Sequence, residues 1–149
     1  MNEKAWRYWK GYWNGVQAPE NVSAWAFGID EDELAGLVVR GIKTATCSLY
    51  EEYVAENDPL PEEGEYSIVL DSNEEPAAII RTNKVTVMPM NEVPESFAFK
   101  EGEGDRSYTY WWNAHEKFFR SLMKEMGKNF TEDTAVVCEE FELIDVRDR

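Results

Sequence analysis

The chain reads as an α+β fold: a small curled sheet or barrel with helices packed on it. Three observations predict this. The hydrophobic period changes after Gly41, from helical spacing to short runs rich in β-formers. Strand-like runs are separated by loops, with only a few helices among them. The chain has 149 residues, 43% hydrophobic and 13% aromatic, enough for the core of one domain and too short for two complete ones.

Asn2 to Val16 reads as a first helix, because Trp6, Trp9 and Trp13 recur at three and four, with Tyr8 and Tyr12 on an adjoining line. The stretch Gln17 to Asn21 breaks it, and Ser23 to Gly28 reads as an aromatic connector. A second helix begins at Asp30 or its neighbours, runs through Leu34, Leu37 and Val38 to Arg40, and stops at Gly41, where a left-handed residue costs little. Thr44 to Leu49 reads as a strand and Glu51 to Asn57 as one or two helical turns. Tyr66 to Leu70 is a second strand, closed by the turn residues Asp71-Ser72-Asn73. Ala77 to Met88 is a longer strand whose length predicts a bend or bulge near Asn83. From Asp105 to Met126, the positions Tyr108, Trp112, His115, Phe119, Leu122 and Met126 recur at three and four, widened by Trp111 and Phe118. That helix lies on the core, and Gly127 stops it. Thr134 to Ile144 begins apolar and then alternates, as a half-exposed strand does.

Fifteen Lys+Arg against thirty Asp+Glu leave a formal charge of −15. Such a field opposes an extended phosphate-tracking surface, so duplex DNA is not an expected partner. No apolar run approaches the ~20 residues of a membrane-spanning helix, and the amino terminus lacks a basic-then-apolar secretory pattern. A cytoplasmic location is therefore expected. Cys47 and Cys138 make neither a metal spacing nor a disulfide framework and read as buried free thiols.

Two stretches, Leu34 to Tyr50 and Pro76 to Asn91, contain no acid. They carry Arg40 and Lys43, and Arg81 and Lys84, respectively. As sheet neighbours they would form a positive island that admits one small anion or a few phosphates while rejecting bulk polyanion. The plain alternative is that strands are poor in Asp and Glu in any case.

Gly41-Ile42-Lys43-Thr44-Ala45-Thr46 resembles the G-x-K-x-x-T signature of the ASCH (activating signal cointegrator homology) domain, a relative of the PUA RNA-binding fold. A helix precedes it, and the Pro61 to Gly64 turn leads into a hydrophobic strand ending in Asp71. Ala98 to Ser107 then comes before an aromatic helix. That order is similar to the longer bacterial ASCH proteins from about Asp30 to Ile144. Residues 1–149 are expected to form one domain, with residues 1–20 an aromatic helix added to the core.

The resemblance implies a PUA-like barrel with a cleft lined by the motif, and a role in recognising RNA or a nucleoside-like ligand. Some small bacterial members are amidohydrolases on N4-acetylcytidine and use a Lys, a Thr and a Glu; another member is a ribonuclease. These residues carry over to Lys43, to Thr46 and, through the Ala-x-x-Glu-Gly spacing, to Glu101. Glu103 competes for the last role, because Gly102 to Arg106 is an insertion relative to the small enzymes. In such a site a lysine of lowered pKa would take the threonine proton, and the carboxylate would orient the lysine or move a proton. Lys43→Met is then expected to abolish turnover while the fold is kept. Regular strand alternation would put Lys43 and Thr46 on opposite faces, so Lys43 must still lie in the turn after Gly41.

Trp25 and Phe27, in the connector, are the stacking candidates of the cleft. Arg106 is placed for phosphate contact and Ser107 at the cleft mouth. Glu101 and Glu103 fall in a Glu-Gly-Glu-Gly-Asp loop with Asp105 capping the following helix, and their acids are too few for an oxygen cage. Neither metal nor cofactor is expected. His115 reads as a core imidazole with a satisfied hydrogen bond rather than as a ligand contact. Trp6, Trp9 and Trp13 pack the first helix on the barrel; if left exposed they mark a homodimer or partner surface, and a protein-interaction module is the third functional reading.

Overall fold

The computed structural model describes residues 1–148. The elements in chain order are α1 (Glu3–Trp13), β1 (Val22–Ala26), α2 (Glu31–Val39), β2 (Ala45–Leu49), α3 (Tyr50–Glu56), β3 (Tyr66–Leu70), β4 (Pro76–Pro89), α4 (Glu95–Glu101), α5 (Tyr108–Glu125) and β5 (Ala135–Val146). Five strands form one sheet in the order β1-β3-β4-β5-β2. β1 and β3 are parallel, and every other pair is antiparallel.

The central strands are apolar on both faces because helices cover both. Ile68, Leu70 and Ile79 pack with Ala5 and Trp9 of α1, while Val69, Ala78 and Ile80 pack with Leu34, Ala35, Leu37 and Val38 of α2. α4 and α5 cover the far end, where Phe97, Trp111, Phe119 and Met123 meet Ala45, Cys47 and Leu49 of β2. β4 is long enough to serve both β3 and β5, and its register shifts at Ile79/Ile80 and at Thr82/Lys84, a bend beside Asn83 as its length implies. Cys47 and Cys138 are buried, free and opposite each other across β2 and β5. None of the described helices is long and apolar enough to cross a membrane.

Several expectations need correction. Ser23 to Gly28 is not a connector: most of it is β1, an edge strand. Its partner is β3, more than forty residues away in sequence, so no local turn signal announces the pairing. Glu101 does not lie in a loop but ends α4, which Pro94 opens and Gly102 closes in the left-handed conformation. Ser107 rather than Asp105 caps α5, its hydroxyl accepting from the Tyr110 amide at 3.1 Å. The buried line of α5 is Trp111, His115, Phe119 and Met123: the first three belong to the predicted stripe, and Met123 takes the place of Leu122, which is only partly buried. On α1 only Trp9 of the three tryptophans is buried, while Trp6 stands 43% exposed under the Lys10 ammonium.

Candidate active site between the sheet edges

Because β1 and β2 end the sheet, the curl leaves a gap between them. A cavity of about 740 Å³ fills it, lined by both strands, the β1–α2 link, α3 and the α4–α5 corner. Its volume suits a small organic molecule. Lys43, Thr46, Trp25, Phe27, Glu101 and Glu103 all line it.

The turn after α2 decides where Lys43 points. Gly41 takes φ +73°, and the amides of Ile42 and Lys43 both donate to the Leu37 carbonyl, at 2.9 and 3.1 Å. Thr44 donates to the Lys100 carbonyl at 2.7 Å, and β2 begins only at Ala45. Lys43 therefore precedes strand alternation, which lets it share a cavity with Thr46.

The Lys43 ammonium is 1% exposed. It donates to Glu101 at 3.0 Å and to Glu103 at 2.9 Å, and lies 5.3 Å from the centre of the Phe27 ring. Glu101, also 1% exposed, is saturated. Its Oε1 accepts from Lys43 and from the Cys47 amide at 3.2 Å; its Oε2 accepts from the Trp111 indole and from His115 Nε2 at 3.0 Å. Those four donors fill the four lone-pair directions of a carboxylate. Glu103 sits nearer the opening, its side chain 17% exposed.

His115 shows its charge through its partners. Nδ1 lies 2.7 Å from the Trp111 carbonyl and Nε2 faces Glu101, so both neighbours are acceptors and both nitrogens carry protons. The cluster is thus two cations and two anions, closed on itself. Glu101, Glu103 and His115 also have ligand atoms within 4.8 Å of one another, the spacing of a cation site. Here the Lys43 ammonium stands between the two carboxylates, and any metal would have to displace it.

The electrostatics reverse one sequence expectation. Burial alone would draw Lys43 down, but the coulombic pull of Glu101 and Glu103 outweighs it and holds the ammonium above its ordinary value. Lys43 is therefore held in its protonated form by its two carboxylates, opposite to the lowered value that a base would need. Burial likewise opposes ionisation of Glu101, yet His115 and Lys43 hold it down at about 2. His115 is drawn down by burial and raised more strongly by Glu101. Burial raises Glu103, and Glu101 beside it adds to the shift against the pull of Lys43.

The stability consequences have opposite signs. A raised imidazole contributes stability that is complete below 6.5 and lost as pH rises through its folded midpoint. A depressed carboxylate contributes above 4.5 and is lost as pH falls towards 2. Since the chain has one histidine, its Cε1–H resonance reports the site alone. We expect it to titrate above pH 6.5; a midpoint at or below 6.5 would contradict the ion pair.

The other named residues fare differently. Arg40 is exposed and turns back to the Gly36 carbonyl, and Gly41 serves the turn without lining the cavity. Arg81 lies over the Tyr66 ring and Lys84 points to Glu140 at 3.9 Å, so neither reaches the cavity. Arg106 covers Phe99 and donates to its carbonyl, and Ser107 is occupied as a helix cap. There is no positive island at the cleft: acids dominate its lining, with Glu20, Glu52, Asp58, Glu65 and Glu139 added to the cluster, against Lys43 and His115. The acid-free stretches are strand composition, as the plain alternative has it. The residues that sequence reasoning passed over are His115 as a charged partner and Glu139, which lies opposite Thr46 in the sheet.

A curled five-stranded sheet with helices on both faces and a cleft at its unclosed seam is the α+β architecture of PUA-like proteins. The ASCH domain family model matches residues 23–145, and the chain belongs to that family. The chain is similar to an ASCH domain from Lactobacillus crispatus, with 32% identity over 96% of this chain and 95% of that one and a TM-score of 0.90. It is also similar to a protein from Enterococcus faecalis, with 37% identity over 98% of this chain and 91% of that one and a TM-score of 0.86. No curated protein matches the sequence.

Proposed function

We propose that the seam cavity binds an uncharged, nucleoside-sized ligand and that the protein hydrolyses an N-acyl amide on it, as the small amidohydrolase members of the family do with N4-acetylcytidine. The observation that carries this reading is that Lys43, held protonated by its carboxylates, and Thr46 line one cavity of about 740 Å³. Trp25 offers an aromatic face at the sheet edge for a base, held edge-on against Phe27 at 5.1 Å. Lys43 supplies positive potential where the acyl oxygen gains negative charge, the role of an oxyanion-stabilising group. Glu101 positions Lys43, and Glu103 is the more open of the two carboxylates.

The acidic wall argues against a phosphodiester inside the cavity and so favours the amide reading over the ribonuclease one. A phosphate entering this cavity would carry its full charge past several carboxylates, whereas a neutral amide gains charge only beside Lys43. The test is a panel of N-acylated nucleosides, their 5′-phosphates and short single-stranded RNAs, followed by chromatography and by binding at several salt concentrations. Conversion of the nucleosides is expected, with the phosphates poorer substrates and an affinity almost independent of salt. Tight RNA binding that weakens steeply with salt, the mark of several phosphate contacts, would overturn the reading.

A further inference from the structure

If Lys43 keeps its proton, the hydroxyl of Thr46 needs another acceptor. We propose that Glu139 is the general base and acid of this site, taking the Thr46 proton as the hydroxyl attacks and returning it to the departing amine. This inference rests on the amide-hydrolase reading above.

The geometry comes from the sheet. Thr46 and Glu139 are direct partners across the antiparallel β2–β5 pair, so their side chains leave the same face. Both line the seam cavity, and on the other side of β5 Glu139 stands opposite Val85 of β4. The groups around it are accounted for. The Thr82 hydroxyl of β4 donates to it, Glu65 before β3 repels it, and it is close enough to Tyr53 of α3 to raise that phenol. Tyr53 is itself bonded to Ser48 at 2.8 Å, and Lys84 and Lys100 turn to Glu140 instead. No cation neutralises Glu139 among the described ion pairs. Burial, then Glu65, raises its carboxyl to about 7, in the range where a group can both accept and donate at neutral pH.

The step balances without a further reactant. As the Thr46 Oγ1–acyl carbon bond forms, its proton passes to the Glu139 carboxylate and the carbonyl electron pair moves onto oxygen. Collapse breaks the carbon–nitrogen bond, and the Glu139 proton goes to the leaving amine. Water then attacks the threonine ester, giving one proton to Glu139. That proton returns to Oγ1 as the carboxylic acid departs, so amide plus water yields acid plus amine.

The test is Glu139→Gln and Glu139→Asp, assayed against wild type on the acylated nucleosides that wild type converts. Wild-type kcat/KM should rise with pH through about 7, because the base acts when ionised. Glu139→Gln should lose roughly 10²–10⁴-fold in kcat and lose that limb of the profile, with Glu139→Asp partly restoring both. Thermal melting guards against a trivial loss. The folded carboxyl holds a proton between pH 4.5 and about 7 that the unfolded one has released, so rising pH weakens wild type across that window, and Glu139→Gln should melt no lower than wild type at pH 8. A Glu139→Gln protein with wild-type rate and profile would overturn the assignment and leave the hydrolase reading standing. Absence of turnover by wild type on every amide would overturn both.

Discussion

Replacing Lys43 by methionine is expected to destabilise the protein by about 3–5 kcal/mol, as breaking a buried ion pair from one side does. That is a large part of the roughly 5–15 kcal/mol that holds a domain together. The ammonium is the counter-ion of two carboxylates, one fully buried, and methionine supplies neither charge nor donor. Glu101 would keep His115, Trp111 and the Cys47 amide; Glu103 would face it uncompensated. Because burial and Glu101 already raise Glu103, protonation of that residue should recover part of the loss as pH falls. Urea midpoints at pH 8 and pH 5.5 should differ more for Lys43→Met than for wild type, and adding Glu103→Gln should narrow the gap. Equal midpoints for variant and wild type at pH 8 would contradict the ion-pair account. The motif lysine would then support the structure as well as the chemistry, so turnover of Lys43→Met is to be measured where its urea curve shows the variant still folded.

Gly102→Ala is expected to cost on the order of 3 kcal/mol and to weaken ligand binding together with stability. Gly102 has φ +72°, and a Cβ there would meet the Ile42 carbonyl oxygen at 2.6 Å and its carbon at 2.9 Å. This backbone contact presses the end of α4 against the turn carrying Lys43, and so sets Glu101 and Glu103 on either side of the ammonium. Gly41 provides the control. Its φ is +73°, but nothing lies within 4 Å of an added Cβ, so Gly41→Ala should cost only about 1 kcal/mol for the left-handed conformation. Comparable urea midpoints for the two alanine variants would contradict the packing argument.

Some of this was legible without coordinates because it is local. The α5 stripe, the stop at Gly41, the Tyr66–Leu70 strand and the bend in β4 follow from periodicity, turn residues and length within one window of chain. The G-x-K-x-x-T resemblance drew attention to Lys43 and Thr46, and the need for an irregular start to β2 followed from strand alternation alone. α4 carried a readable signal, Pro94 before it and Gly102 after it, that a Glu-Gly-Glu-Gly-Asp reading obscured.

What the amino-acid order determined by itself was the α+β class, most elements and the family signature, because periodicity and capping act within a few residues. Tertiary structure alone decided the chemistry of the site. Lys43 meets Glu101 across 58 positions of chain, and Thr46 meets Glu139 through strand pairing. Burial in a low-dielectric interior makes those distant neighbours set which groups are charged. It holds the Lys43 ammonium above its ordinary value and raises the Glu139 carboxyl on the strand opposite Thr46.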